Sequence, residues 1–230
     1  MNRLLFKFSL ALVLLINTLV FILFFPEWID VVEPFLFPLF FVYFILDSFE
    51  VIVPAYNPSI YSAKMQKRLY IEVDNYDETE LKKLANRDTR VAYVIFLLYA
   101  SLIIGLGLLY RNINWLDDWF IYLVFFTLNF ADYFCIMIWC PFRRWFLKNS
   151  CCNTCRISNW DRIMKFSILI FIPNIYTITI FVIGCLIFLY WEVQHLIHPE
   201  RFYRISNKRL WCSNCDKITC GKHRKTTSNS

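Results

Sequence analysis

Six of the nine cysteines stand in two short basic stretches outside any apolar run: Cys151, Cys152 and Cys155, then Cys212, Cys215 and Cys220. Each stretch holds a Cys-x-x-Cys step, and the second runs on into Cys220-Gly-Lys-His223. Two intervening residues let both sulfurs of a tight turn face one ion, so two such steps supply four thiolates for a tetrahedral metal. Cys152, Cys155, Cys212 and Cys215 are the expected ligands, with Cys151, Cys220 and His223 as alternatives. Within the tail alone, Cys212, Cys215, Cys220 and His223 also have the makings of a Cys3His site. Four thiolates suit zinc first and a rubredoxin-type iron second. The competing fates are a reversible disulfide and lipid acylation beside a bilayer.

Acids inside apolar runs form a second group. Asp47 and Glu50 stand three apart near the end of one run, and Asp132 lies in the middle of another. A carboxylate at bilayer depth costs about 2.5 kcal/mol or more, so it must face partners or water. Asn129, Asp132 and Cys135 fall on one helical face. With Asp47 and Glu50 they would line an intramembrane polar site, serving as a proton or metal path or as an active-site acid. The plainer expectation for Asp132 is pairing with Lys7, a Tyr hydroxyl or a backbone group. A third pattern, Glu192-x-x-His195-x-x-His198, lies on one face of the last helix. Glu-x-x-His recurs in di-iron bundles, but those need two copies; with one copy, a solvated or phosphate-facing histidine pair is expected.

The two Cys-x-x-Cys steps resemble zinc-ribbon and rubredoxin knuckles in spacing, with Arg156 and Asp216 where those families usually place glycine. The Asp-His-His-Cys signature of protein palmitoyltransferases is absent, as are a Gly-rich phosphate loop, a nucleophile elbow and His-Glu-x-x-His.

The elements that must carry these residues are membrane helices. The chain is 58% hydrophobic and 20% aromatic over 230 residues, with a mean hydropathy of +0.47. One soluble core of this size cannot hide that much apolar surface, whereas ~20 apolar residues cross a bilayer as a helix. Residues 4–25, 34–54, 91–110, 120–140 and 166–190 are the expected segments. Lys plus Arg number 2 in residues 1–7, then 0, 7, 1, 6 and 8 in the successive pieces between and after the segments. That alternation is the positive-inside pattern. It places the N-terminus in the cytosol, and it accounts for the net charge of +6 through anionic lipid headgroups rather than nucleic acid. The first run ends in Phe24-Phe25-Pro26-Glu27-Trp28 without a small-x-small cleavage site, so it is expected to remain as a helix.

The last run breaks the alternation, being basic on both flanks and interrupted by Pro173-Asn174. A short helix over 160–172, a break at Pro173 and a return helix over 176–195 would bring both cysteine stretches to one side. Asp77 is expected to cap a helix beginning at Glu78 that runs on into the third segment. The fold expected is thus an all-α integral membrane protein of about five transmembrane helices, the last region kinked or re-entrant, with a small cytosolic Cys-rich metal-binding element. Its organisation reads as 1–56, two membrane helices; 57–90, a cytosolic polar loop and helix; 91–140, two membrane helices; 141–165, a Cys-rich loop; 166–197, the kinked region; and 198–230, a Cys-rich basic tail. The function expected is a protein of the cytoplasmic membrane whose thiolate metal staples 141–165 to the tail. The alternatives are a membrane oxidoreductase or electron carrier with iron at the same thiols, and an ion or metal transporter using Asp47, Glu50 and Asp132.

Overall fold

The computed structural model of the chain describes residues 3–24, 29–53, 65–113, 116–147 and 155–214. Among them the fold is all helical, the one β-type contact being an antiparallel bridge between Glu72 and Asn207. The helices are α1 (Arg3–Phe24), α2 (Ile29–Ile52), α3 (Glu78–Asn112), α4 (Asp118–Met137), α5 (Asp161–Phe166) and α6 (Ile175–Ile197). Four of them, α1, α3, α4 and α6, are long and apolar enough to cross a membrane. At 24 residues, α2 is a fifth long helix, and it begins before the expected 34–54. Outward-facing side chains such as Leu97, Leu98, Leu186 and Leu196 are 60–65% exposed. Apolar surface on that scale fits an integral membrane protein.

Helix α3 is continuous over 35 residues, ~52 Å at 1.5 Å per residue and well beyond a ~30 Å core. Asp77 caps it as expected, accepting from the amides of Thr79 at 2.7 Å and Glu80 at 3.3 Å. The surplus length projects as a polar helix over 78–90. The Glu78–Lys82 pair at 3.8 Å is fully solvent-facing there and contributes little.

The last apolar region folds as a hairpin. The six residues of α5 continue into a 3-10 segment, Ser167–Phe171. Pro173 lacks the amide a helix needs and Asn174 opens the next one. Asn174 accepts from the Thr177 amide at 2.9 Å, and the Thr177 hydroxyl lies 2.9 Å from the Asn174 amide and 2.7 Å from the Ile172 carbonyl, which closes a capping box. Helix α6 then returns beside α5. Gly184 lies against Phe166 and the Arg162 backbone, and Glu192 faces Trp160. Phe171, at the hairpin tip, seats its ring on Gly107 of α3, where any side chain would collide with it.

The apolar core joins α2, α4 and the hairpin through aromatic rings. Phe44 meets Phe125 at 5.1 Å and Phe166 at 5.6 Å, both edge-on, the geometry preferred by ring quadrupoles. Helix α1 is peripheral and packs mainly on α4, with Ala11 buried and Phe8 against Phe130. At the polar end, residues 199–210 strap across 65–76. The Val73 amide donates to Ser206 O, the Lys208 amide donates to Ile71 O, and Lys208 Nζ reaches Asp74 at 2.7 Å. The described part of the tail is therefore tied to the 65–76 loop.

Candidate functional site

A cluster of charged side chains is buried where α1, α2, α4 and α5 converge. Asp47 is its centre and is 3% exposed. Lys7 Nζ lies 2.6 Å from Asp47 and 2.7 Å from Glu50. Arg162 reaches the other Asp47 oxygen at 2.7 Å, and its Nη2 donates to the Asp47 carbonyl at 3.0 Å. Lys165 stands 3.5 Å from Asp47 and 3.8 Å from Asp132. The Tyr133 hydroxyl is 3.5 Å from Asp47, and Asp161 pairs with Arg162.

Local helix geometry assembles the cluster. Asp47 and Glu50, like Arg162 and Lys165, are three apart and so share a face of their helix. The α5–α6 hairpin carries both cations inward to meet α2. Removing such charges from water costs several kcal/mol per ion, and only close pairing offsets that cost. Here three cations face four carboxylates. Lys165 also lies 5.6–5.9 Å from the ring centroids of Phe44, Tyr133 and Phe166, within the range of cation–π attraction.

A second clamp sits nearer the polar end. Arg156 pairs with Glu192, donates to the Thr89 hydroxyl and lies over the Tyr93 ring. Trp160 Nε1 donates to Glu192 at 2.7 Å. Beyond both, on the strap, the Lys208 ammonium hydrogen-bonded to the exposed Asp74 holds its carboxyl below the usual value. Burial and nearby Glu72 push the Tyr70 hydroxyl up to about 12, so it stays a donor to Ser206 O.

Beside the cluster lies a cavity of 340 Å³ with mainly apolar walls from α3 and α4, floored by Met164 and Lys165 and roofed by Cys140–Phe142 with Cys155, Ile157 and Ser158. Asp132 and Cys135 are on its wall. Helices α3 and α4 barely touch each other. The cavity therefore occupies a gap between two helices whose outer faces are apolar.

The sequence-derived candidates fare differently. Asp47, Glu50 and Asp132 do meet in one site. Lys7, however, pairs with Asp47 and Glu50, while Asp132 is matched by Lys165. Asn129 is fully buried on the Asp132 face, with neither amide atom hydrogen-bonded to protein. Of the thiolate set, Cys151, Cys152, Cys215, Cys220 and His223 lie outside the described residues, and of Cys212 only the backbone is described. Cys155 is 4% exposed and packs with Ala92, Ile95, Leu147 and Trp160. Among the described residues no three His, Cys, Asp or Glu side chains converge to hold a metal. The histidines are not a solvated pair: His195 is buried beside Phe202, with Tyr203 Oη at 3.3 Å, and only His198 reaches an outer partner, Glu200. Trp160 and Trp191 are each 1% exposed inside the bundle.

Arg162, Lys165 and Tyr133 are the site residues that sequence reasoning missed. A signal was present, since Arg162 and Lys165 fall within 160–172, the stretch expected to enter the apolar layer. A cation there requires a carboxylate partner. No protein-family model matches this chain, and no curated protein or solved structure matches it either.

Proposed function

We propose that the chain is a multi-pass protein of the cytoplasmic membrane, N-terminus in the cytosol, that works as an intramembrane binding protein. In this reading the charged cluster holds the helices around the cavity. The alternation of basic flanks supports the orientation, and the short reach of α5 and its 3-10 segment, roughly 20 Å, supports a re-entrant hairpin rather than a sixth crossing. The observation that carries the functional reading is the saturation of Asp47 by Lys7, Arg162 and Lys165. A passing cation needs a carboxylate it can share; here it would have to displace three resident cations.

Zinc at the cytosolic thiols belongs to the same proposal, on the strength of the Cys-x-x-Cys spacing, with Cys152, Cys155, Cys212 and Cys215 as the set and Cys151, Cys220 and His223 as alternatives. Iron there is the oxidoreductase alternative.

The test is reconstitution into vesicles loaded with proton- and metal-sensitive dyes. The binding-protein reading expects no protein-dependent cation flux. Flux that Asp47→Asn or Asp132→Asn abolishes would make the chain a transporter.

A further inference from the structure

We propose that the cavity between α3 and α4 takes a neutral lipid bearing a hydroxyl head, entering sideways from the bilayer; this rests on the binding-protein reading above. Its 340 Å³ falls within the ~300–1,000 Å³ of small-molecule sites. The polar end of the cavity is defined by Lys165 and Asp132, 3.8 Å apart on its wall. Lys165 is 1% exposed, and its ammonium, despite three donors, makes no hydrogen bond within the protein. An unmade buried donor is costly, and an oxygen in the cavity removes that cost.

The charge balance selects the head group. On and behind the wall, Lys7, Arg162 and Lys165 are already opposed by Asp47, Glu50, Asp132 and Asp161. An anionic head adds a fifth negative charge, and each described cation of the cluster already faces a carboxylate. A cationic head would have to share Asp132 with Lys165, which already stands 3.8 Å from it. A hydroxyl accepts from Lys165 and donates to Asp132, leaving the balance unchanged. The apolar walls, Leu102, Leu128 and Ile136 among them, take the first part of the hydrocarbon chain. The remainder runs out between α3 and α4, where Leu102 is 55% exposed.

The probe is a diazirine-bearing hexadecanol, photolysed with the full-length protein in lipid nanodiscs, and labelled positions are mapped by mass spectrometry. Label is expected on 99–102, 128–136 and 164, removed by excess hexadecanol and retained with equal excess of hexadecane or palmitate. Lys165→Met should lower cavity labelling about tenfold, the effect of one lost hydrogen bond of ~1.4 kcal/mol. Ala131→Leu, which fills the cavity without touching the charges, should do the same and keeps the test decisive if Lys165→Met does not fold. Label confined to outward positions such as 97, 98 and 186, displacement by hexadecane, or better displacement by palmitate overturns the inference. Vesicle flux overturns the binding-protein reading itself, whereas labelling without head-group selectivity overturns only the ligand class.

Discussion

Asp47→Asn is the sharpest perturbation of this fold. Asparagine keeps the size of the side chain and removes its charge, so the change isolates electrostatics from packing. Three cations lie within 3.5 Å of the carboxylate. At an effective dielectric near 20 each contact is worth ~4 kcal/mol before desolvation is counted. Most of that is offset by dehydration, and breaking one partner out of a buried pair costs ~3–5 kcal/mol net. The folded-to-unfolded ratio should then fall by a factor of about a hundred or more, at 1.4 kcal/mol per decade. Reversible unfolding of purified protein in mixed micelles, followed by tryptophan fluorescence, reads this directly. Lys7→Met should cost less, ~1–2 kcal/mol, because Lys7 sits at the rim with 17% of its side chain exposed and Asp47 keeps two other cations. The double variant should fall short of the sum, with a coupling of ~0.5–3 kcal/mol. Stability of Asp47→Asn within ~0.5 kcal/mol of the parent, or strict additivity with Lys7→Met, would refute the buried cluster as a packing device.

Other parts of the structure yield separate outcomes. Gly107→Leu should destabilise by ~1–3 kcal/mol by driving Phe171 off α3, and adding Phe171→Ala should recover most of the loss in the same unfolding assay. The strap over 71–74 depends on Asp74, whose carboxyl Lys208 lowers from an ordinary value near 3.8. The contribution of this group is complete above that value and disappears as pH falls through the lower folded one. Hydrogen-exchange protection of the Val73 and Lys208 amides, corrected for intrinsic rate, should be flat from neutral pH to mild acid and drop only in strong acid, while Lys208→Ala lowers it from neutral pH to mild acid and converges with the parent in strong acid. Elemental analysis should find roughly one zinc per chain, as a thiolate site of this kind holds one ion, and less in Cys212→Ser. Coloured protein with iron would favour the oxidoreductase, and metal-free protein would remove the clamp altogether.

Periodicity and charge made the long helices legible, because a 20-residue apolar run has few alternatives in physics. The hairpin was legible too: Pro173 forces a break, and basic flanks on both sides require a return. What stayed hidden was pairing between distant elements. Lys7, Asp47 and Arg162 are separated by long stretches of chain, and nothing local says which cation meets which acid. Arg162 and Lys165 look like loop residues when counted as flanking charge. Only the packing of α5 against α2 and α4 turns them inward.

The claim on which the account turns is that Asp47 carries its charge as a fixed counter-ion and does not shuttle a proton. Infrared difference spectra between the parent protein and Asp47→Asn at neutral pH address this at the atom concerned. The account predicts loss of a carboxylate stretching band with no change in the protonated-carboxyl region. Loss of a protonated-carboxyl band instead would show that Asp47 holds a proton, and the cluster would then be a relay.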